Sequence, residues 1–567
     1  MYIFPRLWYD VSINQKLSFP GMRGAVFRGP ERGICMKTLL KNARIYDGTG
    51  KDAFFGSVLL EGDRILAVGA DLSEDGADRI LDLGGLSLSP GLIDGHSHND
   101  WFAIKKKPLK YFEPFIRQGM TTFVCGNCGV SEIGFSHDSP HHNQVGAGLF
   151  TFEETTGSYA DLNEFFSAVD RNMPCNLIEL VGHCTARASA GGGHSGKLTE
   201  TEQTEMLRLL EENLKQGAAG VSLGLMYYPG LYADVEELKK VAALCVKYDK
   251  PLTVHPRAES KVSMAYPQLF GRSHLLRAVD ELYEIARGTN LKLHYSHAIF
   301  VGRKSFADID ELEKIFARMQ AEGIQIGYDI YNELLGVSVI TVILPAWYQA
   351  MTEAQRNKPF TRLKLSIMVK ATSKLLGFGF PDIQFAYGGE KLKQYEGMTV
   401  SEIAKEKGMS DLDAYLWLCR ETGFKGRVNM GPYTTREILQ RQMRDPMSNY
   451  MSDAWVEDFG TQNPAIYDVY PKFLRDSLTG FGDTMPNTVR KMTGKIADRF
   501  GMKDCGYLRP GAYADLTVFD EAELRNGKPD QGKPFGIRKV FISGKLVLDE
   551  GKLDTEALKT SGRAIRC

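Results

Sequence analysis

The chain is short of several things. No run approaches the roughly 18 consecutive apolar residues that a membrane-spanning helix needs, which excludes an integral helical membrane protein. Neither sign of charge dominates: 69 Lys and Arg stand against 70 Asp and Glu in 567 residues. Nothing in that balance points to nucleic acid or an acidic membrane surface, so neither is expected as a partner. Cysteine is sparse, nine residues at positions 35, 125, 128, 175, 184, 245, 419, 505 and 567. An odd, dispersed set is not a disulfide framework, and a reducing, cytoplasmic setting is expected. The first 35 residues lack a continuous apolar core followed by a small-residue cleavage site, so they are read as a loosely attached extension rather than a signal peptide.

What is present is a composition for a large core, 43% hydrophobic and 25% charged. Short strands with Gly and Asp turns occupy residues 36–90. The same texture returns over 505–567, with Gly544 at a hairpin turn. The two ends are expected to pair into one small β-sandwich. Between them, residues 91–504 alternate short apolar strands with amphipathic helices. Expected strands include Thr121–Cys125, Asn176–Val181, Leu252–Val254, Lys292–Ser296, Ile324–Tyr328 and Val428–Met430. Thr199 and Asp234 open helices. Repeated βα units predict an α/β fold, a (β/α)8 TIM-like barrel. Residues 334–395 break the alternation and are expected to form an insertion over the barrel mouth.

Barrel chemistry sits at the C-terminal strand ends, and metal-capable side chains gather there. His96 and His98 follow an apolar run ending at Asp94, in Ser-Pro-Gly-Leu-Ile-Asp-Gly-His-Ser-His from Ser89. Two histidines one residue apart on extended chain point to one face and can share an ion. Cys128, His255, His297 and Asp453 each follow an expected strand. Thiolate, imidazole and carboxylate together suit zinc. Cys125-x-x-Cys128 has no second pair, so it makes neither a zinc ribbon nor a clear redox motif. His137, His141 and His142 lie in a polar loop and are read as solvated, His294 as structural, and His194 as a loop residue. Asp453 taken alone is as readily a turn aspartate.

These motifs, in this order, carry a resemblance. PGLIDGHSH resembles the first-strand signature of the amidohydrolase superfamily. TTFVCGNCGVS, ELVGHCTAR, GLMYYPGLYADVEEL, LTVHPR and LHYSHA resemble the N-acyl-D-amino-acid deacylase (D-aminoacylase) family. So do MTVSEIAKEKG, VRKMTGKIADRFG, LRPGAYADLTVFD and SGRAIR. The resemblance implies a zinc-dependent enzyme that hydrolyses the linear amide of an N-acyl-D-amino acid through a metal-activated hydroxide. It implies one tightly bound zinc on Cys128, His255 and His297. His96, His98 and Asp453 would form a second, weaker position, with Cys128 as a possible bridge. Asp453 would be the general acid and base, and His183 would lie near the scissile group. Tyr228, Arg257 and Tyr331 would line the pocket for a small-molecule amide, in a monomer or homo-oligomer. Three positions depart from the family pattern. Asn463-Pro-Ala465 stands where relatives read His-Pro-Arg, Ile299 where many carry Lys, and Ser452-Asp453-Ala454 where they read Ser-Asp-Gly. Metal chemistry is expected intact and carboxylate recognition altered, with Arg257, Arg303 or Lys304 as substitutes. The alternative is another amide, cyclic amide or carbamate without a free α-carboxylate.

Overall fold

The computed structural model describes residues 36–567 except 138, 142–144, 146–158, 193, 195, 264, 267–270, 350 and 528–534. The expected roles of residues 1–35 and of His142 lie outside the described residues.

The two β-rich ends do pair. Ser87–Pro90 lies between Lys37–Ile45, to which it is parallel, and Leu516–Phe519, to which it is antiparallel. Around that junction the strands make one nine-stranded sheet. Alternation along them buries Leu40, Ile45, Val58, Leu88, Leu516 and Phe541 in a common apolar cluster.

Parallel strands follow in the order in which they occur in the chain. Leu92–Asp94, Met120–Cys125 and Asn176–Glu179 form one set. Val181–Gly182, Val221–Gly224, Pro251–His255, Lys292–Tyr295, Gly327–Ile330 and Ser448–Tyr450 form the other. Leu180 is the hinge between the sets: its N–H donates to Cys125, and that of Val181 donates to Gly220, both at 3.0 Å. At the far seam Gly95 donates to Tyr450 at 3.2 Å and Asp453 to His96 at 3.1 Å. No strand ladder bridges that seam among the described residues. The architecture is TIM-barrel-like.

Helices cover the strands. Glu200–Lys215 starts at Thr199 with a reciprocal capping box to Glu202. Val235–Lys247 starts at Asp234, whose carboxylate accepts from the Glu237 N–H. One strand expectation is corrected. Val428–Met430 does not join the barrel; Arg427–Met430 pairs antiparallel with Gly336–Val339 and with Ile383–Tyr387 in a separate three-stranded sheet. So short a segment as Val-Asn-Met has the same alternation in either sheet, and only tertiary pairing separates the two.

Candidate metal centre

Strand ends deliver the side chains. Asp94, the last residue of its strand, accepts from the backbone N–H of His96 at 3.3 Å and of Ser452 at 2.8 Å, and from the Ser452 hydroxyl. It thereby ties the segment carrying His96 and His98 to the one carrying Asp453. Complete burial pushes the Asp94 carboxyl up to about 7, against the pull of these hydrogen bonds.

Cys128, His297 and Asp453 all hold left-handed backbone, with φ of 54°, 34° and 46°. That region is uncommon outside glycine and persists where the surroundings impose it. Around Cys128 the cause is visible. A Cβ on Gly224 would stand 2.0 Å from the Cys128 carbonyl oxygen, so the two segments touch through backbone only. The Gly129 N–H is held by the Ser222 hydroxyl at 3.0 Å.

The side chains converge. Cys128 Sγ lies 3.3 Å from His96 Nε2, 3.6 Å from His255 Nδ1 and 3.6 Å from His297 Nε2. A tetrahedral zinc with bonds of about 2.3 Å to sulfur and 2.05 Å to nitrogen sets S···N near 3.6 Å and N···N near 3.3 Å. Both sulfur distances to His255 and His297 match. The two imidazole nitrogens stand 2.7 Å apart, so they need to part by about 0.6 Å to ligate one zinc. His96 Nε2 and His98 Nε2 lie 3.7 and 3.6 Å from Asp453 Oδ1. His96 with Cys128 and His297, His96 with His98 and Asp453, and His255 with Glu259 and His297 are three overlapping donor groups among the described residues.

The electrostatics suit a cation. Burial pulls His96 down, but the Cys128 thiolate and the Asp329 and Asp453 carboxylates outweigh it and raise it well above the usual imidazole range. For His297, burial is likewise overcome by Glu259 and Cys128. His98 and His255 go well below, through burial and the neighbouring charged imidazoles. Acidic side chains and a thiol thus crowd buried imidazoles. The donor set fits zinc.

Two carboxylates absent from the sequence-derived set complete the cluster. Glu259 Oε1 is 2.5 Å from His297 Nδ1, and Glu259 Oε2 is 3.8 Å from His255 Nε2. His297 and His255 turn opposite ring nitrogens toward Cys128, and Glu259 faces the other nitrogen of each. Asp329 stands 3.3 Å from His96 Nδ1 and 3.0 Å from His294 Nε2, and accepts the His297 backbone N–H. Asp329 had a signal, a carboxylate at a barrel strand end in Tyr328-Asp-Ile-Tyr331. Glu259 had only its place four residues after His255.

The remaining expected residues sit differently. His183 opens the helix His183–Gly191, fully buried, with Nε2 2.8 Å from Glu237 Oε1. Arg187 Nε also donates to that oxygen, at 2.9 Å. His183 is absent from the donor groups. Arg257 donates to Glu281 at 2.9 Å and to the Leu231 and Ala233 carbonyls at 2.8 and 2.9 Å, so its guanidinium is committed within the protein. Arg303 is committed likewise, to Asp382 and the Gly377 carbonyl. Tyr331 is buried, its hydroxyl beside Gly336. Tyr228 is 40% exposed; its neighbour Tyr227 is the one against His255, with ring centroids 4.5 Å apart. Ala465 is buried at the start of Ala465–Leu478, and Ile299 packs against the apolar core. His137 is largely exposed beside Glu164, and His194 meets Glu202.

Residues 79–328 match the amidohydrolase family (Amidohydro_3). The D-aminoacylase of Alcaligenes xylosoxydans xylosoxydans is 27% identical over 523 residues, covering 90% of this chain and 94% of its own. A crystal structure of a D-aminoacylase, described as defining a novel subset of amidohydrolases, superposes with a TM-score of 0.73 at 24% identity, over 94% of this chain and 99% of that one. The N-acyl-D-glutamate deacylase of Bordetella bronchiseptica, solved with zinc and a phosphonate mimic of the tetrahedral intermediate, gives 0.73 at 22% identity, over 94% and 100%. With an amidohydrolase-family match over residues 79–328, full-length similarity to D-aminoacylases and a strand-end cluster of imidazole, thiol and carboxylate, the chain resembles the D-aminoacylases among amidohydrolases and is a metal-dependent hydrolase.

Proposed function

We propose that the chain hydrolyses the linear amide bond of an N-acyl-D-amino acid, with Cys128, His255 and His297 holding one zinc tightly and His96, His98 and Asp453 forming a weaker second position. One observation carries the reading: the Cys128 sulfur stands 3.6 Å from a nitrogen of each of His255 and His297, the separation that shared tetrahedral zinc requires. A bound zinc supplies Lewis acidity toward the amide carbonyl and water of lowered pKa. Asp453 Oδ1, between the Nε2 atoms of His96 and His98, takes up the proton of the attacking water and returns it to the departing nitrogen. That delivery is needed because an amide anion is a poor leaving group. Glu259 accepts from His297 Nδ1 and so keeps the Nε2 lone pair turned toward Cys128. His183, held at Nε2 by Glu237, has Nδ1 left to steady an oxyanion. Tyr228 and Tyr331 are assigned to the substrate pocket. The scaffold we infer is a closed (β/α)8 barrel over residues 91–504, carrying an insertion at 334–395, beside a small sandwich made of 36–90 and 505–567.

A second reading has its own support. Ala465 and Ile299 stand where the family pattern has cations, and Arg257 and Arg303 are already paired. A substrate amide without a free α-carboxylate, linear or cyclic, fits that wall. Turnover of N-acetyl-D-methionine, N-acetyl-D-glutamate, a hydantoin and an uncharged N-acyl amine, each with measured zinc content, decides between them. Release of free amine from the N-acyl-D-amino acids supports the first reading. Turnover confined to the uncharged amide or the hydantoin supports the second, and full activity in zinc-stripped protein refutes both.

A further inference from the structure

The helix Pro359–Leu376 is apolar on two sides. Its inner side packs through Leu365 and Leu376. Its outer side presents Phe360, Leu363 and Ile367, which are 77%, 59% and 60% exposed. Their spacing of three and four residues stacks them into one stripe along two turns. Single exposed apolar residues are ordinary, but a contiguous stripe of large ones marks an interaction surface. The same face continues as Lys364, Lys370 and Lys374, all exposed. From Lys358 to Leu376 the chain has five cations and no carboxylate, although the whole sequence is nearly balanced. Arg362 is tied to Asp413, and Lys364 lies over the Trp347 ring at 4.3 Å.

We propose that this face docks on an anionic lipid bilayer. The helix would lie in the plane of the interface, with Phe360, Leu363 and Ile367 at the acyl-chain boundary and the lysines among anionic headgroups. Charge selects the lipid over a second copy of the chain. A two-fold contact through this face would set the same cations against each other. The near-zero net charge argued against an acidic surface as partner; four cations lie on this one helix and a fifth, Lys358, at its N-cap, and an average over the chain hides them. The C-terminal end of the helix meets the segment after His297, because Arg303 donates to the Gly377 carbonyl at 3.0 Å.

The test needs no catalysis. Full-length protein is sedimented with phosphatidylcholine vesicles, with and without phosphatidylserine, at low and high salt. Two variants are compared: F360S/L363S/I367S and K364E/K370E/K374E. The expected result is binding to the phosphatidylserine vesicles that salt weakens. Each removed lysine is worth about fivefold, so the charge variant should lose roughly a hundredfold or more in partition. The serine variant should lose at least about tenfold. Unchanged melting temperature and circular dichroism identify these losses as losses of docking. No sedimentation with phosphatidylserine vesicles, or equal sedimentation of wild type and both variants, overturns the proposal. So does a dimer in light scattering that both variants dissociate, which would give the face to a second copy.

Discussion

Replacing Glu259 with glutamine changes one charge and almost no volume, at a residue that is 4% exposed. In the native arrangement Oε1 lies 2.5 Å from His297 Nδ1, and Oε2 faces His255 Nε2 from 3.8 Å. A carboxylate there accepts only, so the His297 ring is driven to carry its proton on the Glu259 side and to turn a lone pair toward Cys128. A carboxamide accepts or donates, so the preference fades, and with it the anion that raises His297 against burial. Losing such a support costs about 10- to 100-fold in metal affinity, or about 1.4–2.7 kcal/mol. Competition of zinc against a chromophoric chelator measures this without substrate. The expected order is wild type, then Glu259→Asp, then Glu259→Gln, with Cys128→Ala weakest. Zinc affinity of Glu259→Gln within twofold of wild type, with Cys128→Ala still defective, would refute the positioning role and leave the metal assignment standing.

Three further outcomes are expected. Asp453→Asn should keep the tightly held zinc and lose about 10²- to 10⁴-fold in kcat, measured by metal analysis beside turnover; loss of that zinc would assign Asp453 to the tight position. Arg257→Ala strands the Glu281 carboxylate, which is 13% exposed, so the expected effect is about 3 kcal/mol of stability in a denaturant melt; a rise in KM with stability unchanged would return Arg257 to the substrate pocket. Gly224→Ala drives a methyl into the Cys128 carbonyl and should cost about 1–3 kcal/mol and weaken zinc binding; a variant with native stability and zinc affinity would show that the contact yields freely.

Sequence patterning exposed the parts of this protein that repeat. Strand-end placement alone nominated His96, His98, Cys128, His255, His297 and Asp453, because a barrel orders its chemistry along the chain. The pairing of the two ends was legible for a related reason, since both carry hairpin texture while the middle does not. Val428–Met430 was expected in the barrel because three residues have the same period in either sheet. Asp329 was visible but passed over for Tyr331 in the same stretch. Glu259 was not visible: its role depends on which ring nitrogens point at Cys128, and that is set by the left-handed backbone at His297 and by contacts across three strands. Arg257 shows the converse. Its motif suggested a substrate contact, whereas Glu281 and two carbonyls, distant in the chain or out of pattern, occupy it. The basic helix at Pro359–Leu376 fell inside the irregular insertion, where periodicity says little about which face folds outward.

The central claim is that one sulfur and two ring nitrogens share a zinc. X-ray absorption at the zinc edge of the purified protein tests it directly. The account predicts one sulfur scatterer near 2.3 Å with nitrogen and oxygen near 2.0–2.1 Å, and loss of the sulfur shell in Cys128→Ala. A zinc shell without sulfur in the wild type, or a spectrum unchanged by that substitution, would contradict it.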